Sequence, residues 1–234
     1  MQKEAVQMID LQKITVQYGE NTVYKDFDCA FEKGVNVVLG KSGCGKTTML
    51  KVVADLVKYS GVCVKDGSAA LVFQEPCLAP VSVWKNVDLV LPKGGNASDI
   101  EQALNVVGLL DKRNQKATTL SGGEQQRVSL ARAFASNREI LLMDEPFSNL
   151  DYGTKTELRK VLDDMLAVAN KTVLFVTHDV DDAIMLADKI YFLNNRPATI
   201  TQVAEIDIPR SARTDTDDAL VKIKKQLQLL FCNA

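Results

Sequence analysis

One glycine-rich stretch, residues 40–48, constrains the fold of this chain more than any other feature. It reads Gly40, Lys41, Ser42, Gly43, Cys44, Gly45, Lys46, Thr47 and Thr48, after the apolar run Val35–Leu39 and before a helical pattern over residues 49–56. Glycines let successive N–H groups point at one anion, and a following helix adds a favourable dipole. The order of strand, loop and helix therefore predicts a phosphate-binding loop, in preference to a glycine-rich turn without a ligand.

Composition limits the class of protein. The 234 residues carry 28 basic and 30 acidic side chains without a basic block, which argues against a nucleic-acid binder held by phosphate contacts. The five cysteines form no CxxC pair and are expected to be thiols in a reducing compartment. No apolar run reaches the roughly 18–20 residues of a spanning helix, so any work at a membrane is expected from outside the bilayer.

Hydrophobic periodicity predicts an α/β fold in one domain over residues 1–234. Strands are predicted at 9–18, with one slip of phase, and at 23–31, 35–39, 62–64, 69–73, 140–143, 172–176, 189–193 and 199–208. The pair 62–64 and 69–73 flanks a turn at 66–68. Helices are predicted at 49–56, 81–91, 99–110, 128–135, 152–168, 181–187 and 215–231, with Ser98 and Glu101 as a capping box. Residues of about 76–136 form a helical sub-domain inserted between core strands.

Two acids at the end of a buried strand are the second constellation with clear chemistry. The apolar residues 140–143 lead directly into Asp144 and Glu145, at the edge where open α/β sheets bind ligands. Lys46 is then expected to reach the β/γ-phosphates, while Thr47 and Asp144 hold Mg²⁺. Glu145 is placed to activate the attacking water as a general base. A solvated turn explains this arrangement less well.

Four further features carry open alternatives. Ser121, Gly122, Gly123 and Glu124 begin a helix whose N–H groups form either an anion site or merely a flexible entrance. Asp151 either only caps the helix that follows it or also has a functional role. His178, the single histidine, ends a buried strand at the position that Asp144 and Glu145 occupy on theirs, which favours function. Tyr18 at a strand end fits base stacking and simple packing about equally.

Taken in order along nearly the whole chain, these motifs resemble the ATP-binding subunit of an ABC transporter. The resemblance implies a P-loop NTPase of ABC type with a mostly parallel core sheet, an N-terminal antiparallel β sub-domain and a helical sub-domain. It makes Gln74 the Q-loop glutamine and an Mg²⁺ ligand, residues 120–125 the signature, and 148–151 with Asp151 the D-loop. It also makes His178 the switch histidine and assigns Tyr18 to adenine stacking.

The resemblance further implies a head-to-tail dimer with ATP and Mg²⁺ between the phosphate loop of one subunit and the signature of the other. Ser121 and Gly123 are then expected to meet the γ-phosphate held by a partner's Lys46. Permease subunits and, indirectly, a solute-binding protein are the further partners, and nucleic acid is not. The location it implies is the cytoplasmic face of a bacterial inner membrane.

The phrases at 72–76, 83–87, 196–200 and 208–210 look like the nitrate, sulfonate and taurine import branch. The chain departs from the family in a short stretch between Lys46 and Gln74 and an abbreviated helical block. Lys41 stands where proline is usual, and Glu124 where glutamine is frequent. The leading hypothesis is the ATP-hydrolysing subunit of a small-solute importer. The alternatives are an importer of another branch and a soluble ABC-type ATPase that remodels a protein or nucleic-acid complex.

Overall fold

The structure is a computed structural model that describes residues 7–148, 150–168, 171–214 and 217–233. The strands in these ranges are β1 (Gln7–Tyr18), β2 (Asn21–Glu32), β3 (Val35–Leu39), β4 (Ser60–Lys65), β5 (Ala69–Val72), β6 (Ile140–Asp144), β7 (Thr172–Thr177), β8 (Lys189–Asn194) and β9 (Thr199–Glu205). The helices are α1 (Lys46–Val53), α2 (Val83–Asp88), α3 (Ala97–Val106), α4 (Gly122–Ala135), α5 (Tyr152–Val168), α6 (Val180–Leu186) and α7 (Asp218–Asn233). Short 3₁₀ turns lie at Leu110–Lys112, Ala117–Thr119 and Arg210–Ala212.

Two sheets organise the chain. The smaller sheet has the order β2-β1-β4 and is antiparallel throughout. The larger sheet has the order β5-β6-β7-β3-β8-β9, in which β9 alone is antiparallel to its neighbour. The predicted α/β class, with a mostly parallel core sheet and an N-terminal antiparallel β unit, is therefore confirmed.

The central strands of the large sheet are apolar because both of their faces are covered. In β3, Val35, Val37 and Leu39 belong to one hydrophobic cluster, whereas Val38 belongs to the cluster on the other face. The neighbouring strands β6 and β7 alternate between the same two clusters. Each fully buried Val or Leu contributes about 1.5–3 kcal/mol, so these short apolar runs are fixed in the centre of the sheet.

The first strand contains the predicted slip of phase. Between Leu11 and Ile14 the β1–β2 register shifts, and Lys13 adopts φ 50°. Each is the sign of a bulge, which lets the apolar alternation resume on the core side.

The turn at residues 66–68 does not close a hairpin. β4 pairs with β1 in the small sheet, whereas β5 pairs with β6 in the large one. The carboxylate of Glu139 accepts the backbone N–H of Ser68 at 2.7 Å, which ties the turn to the start of β6. The turn thus carries the chain from one sheet to the other, a connection that local periodicity does not reveal.

Helices α2, α3 and α4 occupy the segment between β5 and β6. The expectation that Ser98 and Glu101 cap α3 is wrong. Asn96 accepts the N–H of Ser98 at 2.8 Å, and the Asp99 carboxylate accepts the N–H of Asn96 at 2.9 Å. Asn is as good an N-cap as Ser, and this box captures two orphan donors with a cap two residues earlier than predicted.

Several element ends also differ from expectation. Helix α1 begins at Lys46, inside the predicted loop. Strand β9 ends at Glu205, where the N–H of Ile206 turns to the carbonyl of Asp188 at 2.9 Å. Helix α7 begins at Asp218, and Asp215, the predicted start, lies outside the described residues. Across the described ranges, no helix is long and apolar enough to cross a membrane.

Candidate active site

The carboxyl ends of three neighbouring strands meet at one edge of the large sheet. The phosphate loop follows β3, Asp144 ends β6 with Glu145 directly after it, and His178 follows β7. The N–H of Gly40 donates to Thr177 O at 3.3 Å, and the N–H of Glu145 donates to Val176 O at 3.0 Å. Segments far apart in the sequence are therefore held side by side, as expected for a ligand site of an α/β sheet.

Lys46 is the buried cation of the loop, with 4% of its side chain exposed. Its Nζ donates to the carbonyls of Gly40 at 2.8 Å and Lys41 at 3.0 Å, and it lies 3.3 Å from Oε1 of Glu145. A buried ammonium must have such acceptors. An incoming phosphate oxygen supplies the same kind of negative acceptor.

Glu145 links Lys46 to the histidine. Its second oxygen, Oε2, lies 2.7 Å from Nδ1 of His178, whose side chain is 51% exposed. The backbone of Glu145 adopts φ 43°, an unusual conformation for a non-glycine residue that costs roughly 1–2 kcal/mol. Strain of this kind concentrates at functional sites, and here it turns the carboxylate toward the loop. The structure thus brings together the predicted base, histidine and phosphate-binding lysine.

Thr47 and Asp144 form a pair of hard oxygen ligands. The Thr47 hydroxyl donates to Oδ1 of Asp144 at 3.0 Å. Burial raises the pKa of Asp144 above its usual value, and the Thr47 hydrogen bond opposes that rise. Oxygen atoms of these two types suit Mg²⁺, which also neutralises a buried carboxylate. Among the described residues no group of three or more His, Cys, Asp or Glu forms a ready-made metal cage.

Among the remaining predicted loop residues, the glycines allow the backbone to curve tightly. A Cβ on Gly40 would lie 2.4 Å from the carbonyl of Leu193, and Gly43 and Gly45 adopt φ 76° and 113°. Cys44 is buried, and burial raises the pKa of its thiol while Lys46 opposes the rise. Lys41 and Ser42 are exposed, and Thr48 is half-buried in the first turn of α1.

Two side chains that the sequence did not point to contact this loop. The hydroxyl of Tyr24 on β2 donates to Gly45 O at 2.9 Å, and a guanidinium nitrogen of Arg196 donates to Gly43 O at 2.7 Å. Neither residue lies in a recognisable motif for phosphate binding, and Arg196 is 153 positions from Gly43 along the chain. No local signal in the sequence could have identified the contact between Arg196 and Gly43.

Gln74 and Tyr18 are the two remaining predicted residues of this site. Gln74 is exposed two residues after β5. Val72 of β5 pairs with Met143 of β6, so Gln74 follows the strand next to the one that ends at Asp144. Tyr18 is 47% exposed at the end of β1 in the small sheet. The roles of the two residues with Mg²⁺ and adenine stay predictions.

The signature residues form a second, separate site. Ser121 is the N-cap of α4 and forms a capping box with Glu124, so a helix begins at these residues as expected. A cavity of about 510 Å³ is lined by Ser121, Gly122, Gly123, Glu124 and Asp151, and no residue of the phosphate loop lines it. Asp151 caps α5 by accepting the N–H of Thr154 at 3.1 Å. Asn149, within the predicted D-loop, lies outside the described residues.

Charged side chains that line the signature cavity form ion pairs. Lys112 pairs with Glu124, and together with the Ser121 N–H it lowers the pKa of that carboxyl to about 2. Arg127 lies 2.5 Å from Glu157. A Cβ on Gly123 would lie 2.6 Å from Cγ2 of Thr154, so glycine is required where α4 approaches α5. This leaves the backbone N–H groups at the start of α4 as the donors for an anion.

The fold and the first site together define an α/β phosphate-loop nucleotide-binding protein. Comparison with known sequences narrows this class, because the family model described as ABC transporter matches residues 24–148. The aliphatic sulfonates import ATP-binding protein SsuB 1 of Pseudomonas savastanoi pv. phaseolicola is 37% identical over 89% of this chain and 90% of its own length. The protein of the same name from Pseudomonas fluorescens is 38% identical over 95% of this chain and 86% of its own length.

A solved structure has the same fold at low sequence identity. The chain cbiO1 from Clostridium perfringens, described as part of the ABC transporter complex cbiONQ, superposes with a TM-score of 0.77 at 20% identity. The superposition covers 96% of this chain and 97% of that one. The chain therefore belongs to the ABC transporter family, as one of its ATP-binding, ATP-hydrolysing proteins.

Proposed function

We propose that this chain drives the import of a small anionic solute of the aliphatic sulfonate class by hydrolysing ATP. The observation that carries the hydrolytic part is the series of contacts from Lys46 through Glu145 to His178. The import function and the substrate class rest on relatives at 37% and 38% identity whose names state both.

In the proposed reaction each side chain has a defined task. Lys46 and the loop N–H groups bind the β- and γ-phosphates, and Glu145 orients and deprotonates the attacking water. His178, hydrogen-bonded to the other oxygen of that carboxylate, holds its orientation and responds to the γ-phosphate. Thr47 and Asp144 would hold Mg²⁺, which when bound neutralises phosphate charge. We further propose that Gln74 joins them when its loop closes and that Tyr18 stacks on the adenine.

The signature cavity supports a head-to-tail pair of chains. It presents Ser121 and the α4 N-terminus, an anion-binding arrangement, yet no residue of the phosphate loop lines it. Two copies related by a two-fold axis would place each signature over the partner's nucleotide, with Gly122, Gly123 and Asp151 at the same contact. Two such sites form in one closed dimer.

A groove beside Gln74 is the proposed contact for a permease. Its volume is about 580 Å³, and it lies between β5 and the helical segment, with Phe73, Cys77 and Leu89 among its lining residues. Phe73 and Leu89 are 42% and 57% exposed, so two large apolar side chains are available to a partner at this groove. We propose that residues of about 76–136 act as the sub-domain that moves with this partner, at the cytoplasmic face of the membrane, and that a solute-binding protein delivers the substrate.

Growth on a single sulfur source tests the proposed function. The source organism with this gene deleted would be supplied with the unchanged gene, with Lys46→Ala or with the exposed-loop control Lys93→Ala. We expect growth on an alkanesulfonate from the unchanged gene and the control, no growth from Lys46→Ala, and equal growth of all strains on sulfate. Equal growth on the sulfonate without the gene would contradict the sulfonate assignment, and growth defects on nitrate or taurine alone would move it to those solutes.

A further inference from the structure

The outer side of the phosphate loop is held at two carbonyl oxygens by side chains from other elements. Arg196 lies in the connection between β8 and β9 and donates to Gly43 O at 2.7 Å. Tyr24 lies on β2 and donates to Gly45 O at 2.9 Å. These two elements are themselves joined, since the N–H of Ala198 donates to Val23 O at 2.8 Å. The two carbonyls are thus held by elements that are connected to each other, which we call the frame.

The geometry of a trans peptide determines how these two hydrogen bonds orient the N–H groups of the loop. The C=O and N–H of one planar trans peptide point in opposite directions. Holding Gly43 O outward to Arg196 therefore turns the N–H of Cys44 inward, where it donates to Lys41 O at 3.3 Å across the loop. Holding Gly45 O to Tyr24 in the same way aims the N–H of Lys46 toward the inside of the loop. Inward N–H groups are what a phosphate loop uses to bind its anion.

The glycines make this support necessary. Gly43 adopts φ 76° and Gly45 φ 113°, values at which glycine has wide conformational freedom. A Cβ at Gly43 would lie 2.9 Å from the Arg196 guanidinium, and one at Gly45 would lie 2.9 Å from Val23 Cγ1. The frame therefore requires glycine at each point of contact, and glycine in turn has no side chain of its own to hold the peptide.

We propose that Arg196, with Tyr24 as its counterpart, is a positioning residue that presets the phosphate loop for the nucleotide. This inference rests on the ATP-binding role of the loop. Arg196 is exposed, so its hydrogen bond is screened and its effect on affinity is moderate. Arg196 touches no reacting atom and acts through the peptide at residues 43–44.

Competition against a fluorescent ATP analogue on the purified full chain tests the proposal. Arg196→Ala is expected to weaken binding of ATP and of inorganic triphosphate by the same factor, about three- to tenfold. Adenosine, which lacks phosphates, should bind with unchanged affinity. Arg196→Gln keeps a donor without the charge and should recover part of the loss. The control Arg138→Ala removes an exposed arginine just before β6, at the opposite edge of the sheet, and should bind like the unchanged chain.

Tyr24→Phe provides an independent variant at the second carbonyl. It keeps the buried ring and removes the hydroxyl, so the fold is retained, and Gly45 O keeps the N–H of Met49 at 3.0 Å. A loss of about twofold, again shared by ATP and triphosphate, is expected. If Arg196→Ala does not fold, Arg196→Gln and Tyr24→Phe decide the question.

Three results would overturn the proposal. Unchanged triphosphate affinity in Arg196→Gln and Tyr24→Phe removes the role of the frame. An equal loss for adenosine shows a general structural effect instead. Failure of the unchanged chain to bind ATP contradicts the assigned function itself, which separates that failure from a failure of the frame.

Discussion

At the scale of single residues, the site holds its charges in mutual contact. Lys46 and Glu145 are paired at 3.3 Å, and the other oxygen of Glu145 contacts His178 at 2.7 Å. In the proposed mechanism, a γ-phosphate that reaches Lys46 competes with Glu145 for it. We therefore expect binding to release the carboxylate for its proposed task as base, so that substrate binding and activation of the base are coupled through one ion pair.

Asp144 gives a prediction with opposite effects on stability and activity. Burial raises its pKa, so the folded state binds a proton more tightly than the unfolded chain. The stability gained from that proton is present at low pH and is lost as pH rises through the raised pKa. At neutral pH Asp144→Asn removes the buried charge, so we expect a melting temperature about 1–3 °C higher without nucleotide.

The same variant should lose Mg²⁺-dependent hydrolysis by about a hundredfold or more. Thermal melting at pH 5 and pH 8, together with phosphate release, measures both effects. The gain in melting temperature should be larger at pH 8 than at pH 5. A lower melting temperature at pH 8, or retained hydrolysis, would refute the proposed role of this carboxylate.

At the scale of elements, the small sheet depends on a close approach at Gly61. This residue on β4 adopts φ 102°, and a Cβ there would lie 2.4 Å from Lys13 O and 2.5 Å from Gln12 O. Both obstacles are backbone atoms of the bulged part of β1, which cannot move without breaking the ladder. Gly61 is therefore the point on which β4 depends for its pairing with β1.

Gly61→Ala should destabilise the chain by about 3 kcal/mol, from the left-handed backbone and the overlap together. Gly94→Ala is the matched control. Its φ is 89°, but nothing lies within 4 Å of its Cβ position, so about 1 kcal/mol is expected. Urea unfolding of both variants measures the difference. Equal losses would show that the contact with β1 contributes nothing.

Local sequence predicted those elements whose burial is complete. The apolar runs of β3, β6 and β7 were correctly predicted as buried strands. Because these strands are parallel and adjacent, the phosphate loop and the acids that follow them lie at the same edge of the sheet, as predicted. Ser98 failed as a cap because Asn96, equally suited, begins the helix earlier. The contacts of Arg196 and Tyr24 with the phosphate loop could not be predicted, because these hydrogen bonds join segments that are distant in the sequence. The role of Gln74 depends on the position of the loop that follows β5, and hydrophobic periodicity does not specify the position of a loop.

At the scale of the whole molecule, the chain presents two incomplete halves of a nucleotide site. The phosphate loop has its own acids and histidine, whereas the signature cavity has anion donors and no phosphate loop. In the proposed head-to-tail dimer, each half is completed by the other half of a second copy. Exchange of ATP for ADP then changes the contact between copies, which is the proposed source of mechanical work on a permease.

The most direct measurement of this central claim is the mass of the Glu145→Gln chain by sedimentation with Mg²⁺ and ATP. This substitution removes the base but keeps the size of the side chain, so hydrolysis stops while ATP stays bound. We predict a dimer with ATP, a monomer with ADP, and a monomer with ATP when Ser121→Arg blocks the signature. A chain that binds ATP and remains a monomer, or a dimer that Ser121→Arg does not prevent, would contradict the account.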